Sequence, residues 1–168
     1  MLRAPMSLPK LYLETTIPSY LTARRSPLAR IATDQQTTQD WWDFQRHEYE
    51  LFISEAVIEE ISRGDARMAA LRVDVVRGLP VLRRTATTEL IEERLLRKGI
   101  IPAKAEQDAA HLALAAVHGM DYLLTWNCTH INNVHKEHEI AAACLAFGCA
   151  CPILCTPAEL MPIDPPHE

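Results

Sequence analysis

Residues 101–133 read IPAKAEQDAAHLALAAVHGMDYLLTWNCTHINN, and the folding of this run decides the architecture. Pro102 suits the entry of a helix, and Gly119 suits its exit just after His118. Between them Ala109, Ala110, Leu112, Ala113, Leu114, Ala115, Ala116 and Val117 leave almost no polar face. A helix that is apolar nearly all round is a buried helix. After the glycine, Asp121-Tyr122-Leu123-Leu124-Thr125-Trp126 reads as a short strand, apolar on both sides like the strands of a buried parallel sheet. A buried helix feeding such a strand is one half of a βαβ unit.

The same alternation extends in both directions. Leu11–Leu13, Leu51–Ile53, Pro80–Leu82 and Pro152–Leu154 are the other strand candidates. Helical patterns lie between them. One is long and polar, from Ala29 to Tyr49; a second starts at Ser54, a good N-cap, and runs through Ile61; a third covers Ala66 to Arg77. Thr87 or Thr88 is the expected cap for Glu89 to Lys98, and Asn132 or Asn133 opens a helix that ends at Gly148. The order predicts a three-layer α/β/α sandwich around a central, mainly parallel sheet. Residues 1–161 are expected to form one domain, with 162–168 a frayed, Pro-rich tail.

Composition narrows the function. The chain of 168 residues is 48% hydrophobic and 23% charged, the balance of a folded soluble domain. No apolar run approaches the roughly 20 residues needed to cross a bilayer, and Met1 to Leu13 contains no leader pattern. A cytoplasmic protein without membrane contact is therefore expected. The formal net charge of -5 argues against a uniformly basic surface and leaves room for a local basic groove. The five cysteines, Cys128, Cys144, Cys149, Cys151 and Cys155, include no CxxC pair and read as free thiols packed like small hydrophobes. A zinc site joining some of them to His130, His135 or His138 is the competing reading, and their spacing fits no structural zinc pattern.

In open parallel sheets ligands bind beyond the carboxyl ends of the strands, so polar residues there are the site candidates. Glu14 directly follows the first strand, with Thr15 and Thr16 behind it. Glu60 borders the apolar face of the helix after strand two, while its neighbour Glu59 points outward. Asp108 opens the buried helix, and His111, one turn on, reads as a hydrogen-bonded neighbour rather than a ligand. Asn127 closes the fourth strand after Thr125, with His130 in the polar loop beyond. Each residue alone has an ordinary explanation as a cap, a turn residue or a solvated acid. Together, three carboxylates brought to one side of a sheet need a counter-charge. An oxygen-rich set suits Mg²⁺ or Mn²⁺, and such centres serve phosphoryl chemistry. No Gly-rich phosphate loop is present.

The blocks YLETTIPSYL at 12–21, FISEAVIEEISRGD at 52–65, the 101–133 run and CPILCTPAEL at 151–160 resemble the PIN domain, the nuclease domain of VapC-type toxins. The resemblance spans about Leu11 to Leu160, and the third block carries most of it. It implies a metal-dependent endoribonuclease, with Glu14, Glu60 and Asp108 holding Mg²⁺ or Mn²⁺ and Asn127 placing a water. Glu59 is the fallback for the helix acid. Thr16, Thr125 and His130 are implied supporting residues. Arg24, Arg25 and Arg63, with Arg30 and Arg67 nearby, are candidates to hold the RNA strand. Two positions depart from the family pattern, because Glu14 and Asn127 stand where Asp is usual. The implied partners are RNA, a small antitoxin and a second copy of the chain. Trp41, Trp42 and Phe44 either form such a surface or pack on the core. The alternatives are a PIN-like binding module that has lost turnover, and a metal-dependent hydrolase of small phosphate esters.

Overall fold

The computed structural model describes residues 6–163, so most of the tail expected at 162–168 lies outside the described residues. Five parallel strands form one sheet: β1 (Lys10–Leu13), β2 (Glu50–Ser54), β3 (Val81–Leu82), β4 (Tyr122–Leu124) and β5 (Ile153–Cys155). Each falls on a strand read from the sequence, extended, trimmed or shifted by a residue or two. With the flanking helices the sheet makes the expected three-layer α/β/α fold.

The strand order is β3-β2-β1-β4-β5. The chain steps outward from β1 through β2 to β3, then returns to the other side of β1 for β4 and β5. That reversal places a topological switch point between β1 and β4, and opens a crevice beyond their carboxyl ends. Leu11, Tyr12 and Leu13 of the central β1 are wholly buried.

Among the described residues eight α-helices accompany the sheet. Before β4 come α1 (Thr16–Thr22), α2 (Ala29–Phe44), α3 (Glu55–Ile61), α4 (Ala66–Val75), α5 (Ala86–Arg97) and α6 (Glu106–Val117), of which α1, α3 and α6 carry site residues. Helix α6 is the buried helix of the opening run, with every residue from Ala109 to Ala116 in the interior. Truncating Leu112 or Leu114 there would cost about 2–5 kcal/mol. Ser54 caps α3 as read, its side chain accepting from the Val57 N–H. Helix α7 (Glu137–Leu145) precedes β5, and α8 (Pro157–Leu160) follows it.

Several local features differ from the sequence reading, among them the long polar helix, which ends at Phe44 rather than Tyr49. Helix α1 has no counterpart in the sequence reading, because seven residues with Pro18 in the first turn complete no apolar period. Helix α5 starts at Ala86 rather than Glu89, because Thr85 is the cap and Thr88 its capping-box partner. Helix α7 begins later than Asn132 or Asn133. The Asn133 side-chain oxygen accepts from the His135 N–H, and its carbonyl accepts from Lys136 and Glu137, closing a turn before the helix. The aromatics at the end of α2 divide: Trp41 is fully buried, whereas Phe44 is 64% exposed. Cysteines divide too, with Cys144 and Cys155 buried and Cys128 exposed. No cysteine belongs to a metal-ligating cluster among the described residues, and no helix there is long and apolar enough to cross a membrane.

Candidate functional site

Glu14 is the first residue beyond β1, and its backbone N–H still bonds to the Leu124 carbonyl of β4 at 3.1 Å. Its side chain therefore leaves the sheet at the switch point, where it is only 3% exposed. One carboxylate oxygen, Oε2, accepts from the Thr16 N–H at 3.0 Å, from the Thr16 hydroxyl, and from the Thr125 hydroxyl at 2.8 Å. Three donors on one oxygen offset the cost of burying the charge. Thr16 and Thr125 thus flank the acid from the two sides of the crevice.

Glu60 comes from α3, and its Oε1 accepts from the Thr15 hydroxyl at 2.8 Å and bonds to His111 Nε2. Burial alone would push the Glu60 carboxyl up; the His111 and Thr15 hydrogen bonds and the nearby His111 and Arg63 charges hold it below the ordinary range. His111, on α6, is fully buried. Burial pushes its imidazole down, but the Glu60 hydrogen bond and the charges of Glu14, Glu60 and Asp108 outweigh that and raise it.

Behind His111 runs a buried chain of hydrogen bonds. Nδ1 lies 2.6 Å from the Tyr12 hydroxyl, which lies 2.6 Å from Ser54 Oγ, which accepts from the Val57 N–H at 3.3 Å. With Nε2–H on Glu60, the Tyr12 hydroxyl donates to Nδ1 and Ser54 donates to Tyr12, so every member is paired. A proton on Nδ1 reverses the Tyr12 bond. Burial, above all, holds the Tyr12 phenol well above its ordinary range, so it stays protonated.

Glu14, Glu60 and His111 each offer one ligand atom, and the three lie within 4.8 Å of one another. Glu14 Oε1 stands 3.9 Å from His111 Nε2. Neither Glu14 Oε1 nor Glu60 Oε2 takes a hydrogen bond from the described residues. Two carboxylates this close require positive charge between them. Protonated His111 would supply part of it, and the cluster as a whole offers ligand atoms that fit a divalent cation. A purely oxygen set suits Mg²⁺ or Mn²⁺, while a third bond from imidazole nitrogen would favour Mn²⁺ over Mg²⁺.

The remaining sequence candidates form a second group. Asp108 Oδ2 is 2.8 Å from His130 Nδ1, and Asp108 is not among the three converging ligands. Asn127 turns its side-chain oxygen onto the His130 N–H at 3.0 Å, and its own N–H donates to the Thr125 hydroxyl at 2.9 Å. Asn127 therefore shapes the loop that seats His130 against Asp108, and Thr125 joins this group to Glu14. Glu59 points away from the crevice into an ion pair with Arg84 at 2.7 Å, and the Arg84 hydrogen bond holds its carboxyl low. Arg24, Arg25 and Arg63 are exposed.

Sequence reasoning missed Tyr12 and Ser54 as parts of the site and treated His111 only as a neighbour, and Thr15, read as a hydroxyl beside Glu14, holds Glu60 instead. One signal was available: Tyr12 is the sole polar handle in an aliphatic strand, and a buried phenol seeks a partner.

The fold matches that of several solved structures, among them two that contain VapC. VapBC2 from Rickettsia felis, solved bound to a DNA fragment from its promoter, superposes with a TM-score of 0.55 at 16% identity, over 87% of this chain and 97% of that one. VapC20 of Mycobacterium tuberculosis, a toxin that cleaves the sarcin-ricin loop, gives 0.54 at 19% identity, over 72% and 92%. The fold is the PIN-domain fold of VapC proteins. No family model and no curated protein matches the sequence, so the VapC likeness is carried by three-dimensional structure. Within that VapC-like fold the Glu14–Glu60–His111 cluster occupies the switch-point crevice.

Proposed function

We propose that this chain is a metal-dependent endoribonuclease of the VapC type, the toxin of a toxin–antitoxin pair, working in the cytoplasm as a homodimer restrained by a small antitoxin. The observation that carries the reading is the convergence of Glu14, Glu60 and His111 within 4.8 Å in the crevice of a VapC-like fold. The two structural neighbours support it: one is a sarcin-ricin loop cleaving toxin, the other a VapBC complex.

Each residue has a role in this reading. Glu14 and Glu60 hold Mg²⁺ or Mn²⁺ through their free oxygens. Asp108 is the third carboxylate, oriented by His130, and Asn127 holds the loop on which His130 sits. Thr16 and Thr125 fix the Glu14 carboxylate. His111 positions Glu60 and can carry a proton at Nε2. A bound divalent ion would neutralise the acids and offset the charge that builds on a phosphodiester during hydrolysis. Arg24, Arg25 and Arg63 attract the RNA backbone in a salt-sensitive way.

A second reading has its own support. The Asn127 side-chain oxygen is engaged by His130, and His130 also holds Asp108. With the Asn127 oxygen and one Asp108 oxygen engaged in this loop, only two carboxylates, Glu14 and Glu60, converge with His111, as a binding module without turnover would show. Incubation of structured and single-stranded RNA with Mg²⁺ or Mn²⁺ separates the readings. Cleavage by wild type that is abolished in Glu60→Gln and Asp108→Asn supports the nuclease. Tight binding without cleavage supports the module, and turnover only of small phosphate esters rejects both.

A further inference from the structure

Beside the acidic crevice lies an aromatic surface with no place in the roles above. Trp126 is the second residue after β4. Its backbone N–H donates to the Thr16 hydroxyl at 2.9 Å, and that hydroxyl donates to Glu14. The Trp126 backbone is therefore two hydrogen bonds from the candidate metal ligand. The indole Nε1–H donates to Thr38 Oγ1 of α2 at 2.8 Å, which fixes the plane of the ring. Thr38 is wholly buried, and its hydroxyl is anchored on the Asp34 carbonyl at 2.6 Å. Tyr20, one turn beyond Thr16 on α1, stacks against this fixed indole, with ring centroids 6.1 Å apart and planes 18° apart. Both rings are only partly buried.

A cleft of about 600 Å³ opens against the pair, lined also by Leu28, Arg30 and Asp34. Arg30 and Asp34 stand one helical turn apart on α2, yet no ion pair joins them among the described residues. Tyr20 responds to both. Burial and then the Asp34 charge push its phenol up, while Arg30 pulls it down. A flat aromatic shelf, an unpaired guanidinium and an unpaired carboxylate thus face one space.

We propose that Tyr20 and Trp126 form a stacking shelf for one unpaired nucleobase of an RNA strand, with Arg30 on the adjoining phosphate and Asp34 on the base edge. The choice of RNA as occupant rests on the nuclease reading. The division of labour follows from the chemistry of the cleft. Base faces stack on aromatic rings whatever their identity. A guanidinium pairs with phosphate. A carboxylate only accepts hydrogen bonds, so Asp34 favours an edge with adjacent N–H donors, as guanine presents, over one with fewer. The substrate class is then a strand with a splayed purine beside the scissile phosphate, as in a loop or a single-stranded segment.

The test uses the full chain in EDTA and fluorescently labelled 2′-O-methyl hexanucleotides, which resist hydrolysis. The hexamers carry one guanine, one inosine or no base at the test position of an otherwise abasic strand, and affinity is read by anisotropy. Wild type should bind the guanine hexamer about 5- to 100-fold more tightly than the abasic one, with inosine between. Tyr20→Ala should erase the advantage over the abasic hexamer, and Tyr20→Phe should keep it. Asp34→Ala should remove the preference for guanine over inosine, and Arg30→Ala should weaken all three hexamers and lower the salt slope by about one. Equal binding of guanine and abasic hexamers by wild type, an unchanged advantage in Tyr20→Ala, or no binding of any hexamer overturns the proposal. No metal is present, so the result is independent of turnover. A Tyr20-dependent base preference without metal-dependent cleavage keeps the shelf and rejects the nuclease, and cleavage without that preference does the reverse.

Discussion

Tyr12→Phe removes one oxygen from the middle of the buried chain that fixes His111, and its cost can be worked from the geometry. The phenol oxygen is shared between His111 Nδ1 and Ser54 Oγ, both at 2.6 Å. All three residues are wholly buried, so water cannot take its place. Nδ1 loses its only partner, at about 1–3 kcal/mol for a buried polar atom left unsatisfied. Ser54 keeps its bond from Val57, so its loss is nearer about 0.5–1.5 kcal/mol. Phe recovers part of this because the phenol no longer has to be desolvated. The expected destabilisation is about 2–3 kcal/mol, or about 4–12 °C in Tm for a chain of this size. Calorimetry in EDTA measures it. A double-mutant cycle with Ser54→Ala should show a coupling of about 0.5 kcal/mol or more, as for residues of one network. A Tm within a degree of wild type, with no coupling, would refute the chain and with it the fixed orientation of His111.

Other predictions address the neighbouring groups. Glu60→Gln should abolish the rise in Tm caused by Mn²⁺ while Glu59→Gln leaves it intact, because only Glu60 faces Glu14; thermal scans with and without the ion check this. The partly exposed Arg84–Glu59 pair should contribute no more than about 1 kcal/mol, so Arg84→Ala is expected to unfold within a few degrees of wild type in the same scans. Stability in EDTA should depend on pH with a definite sign. His111 is raised in the folded chain, so its contribution is complete below its unfolded value of about 6.5 and fades as pH rises through the folded pKa. Glu60 is lowered, so its contribution is complete above about 4.3 and fades as pH falls through its folded pKa. The Tm gap between wild type and His111→Gln should therefore be widest at mildly acidic pH and narrow under alkaline conditions; a gap that widens up to pH 9 contradicts the pairing.

The sheet was legible in the sequence because its strands are short apolar runs bounded by polar residues, and because α6 is apolar all round. The placement of Glu14 beyond β1 followed directly from that reading. The partition of the acids did not. Asp108 and His111 lie three residues apart on one helix, so both edge the crevice, and only the side-chain partners decide which group each joins. His111 reaches Glu60 because Tyr12 holds its far nitrogen from β1, a contact across 99 residues of chain. Asn127 likewise reads as a strand-end ligand until its oxygen is seen to close a turn on His130. Helix α1 was hidden by its length, and with it the stacking of Tyr20 on Trp126.

The most direct measurement is anomalous diffraction from a crystal soaked in Mn²⁺. Assignment of a metal centre to this crevice predicts a peak between the Glu14 and Glu60 carboxylates, beside His111, that disappears in Glu60→Gln. A peak elsewhere in the fold, or none at saturating Mn²⁺, contradicts it.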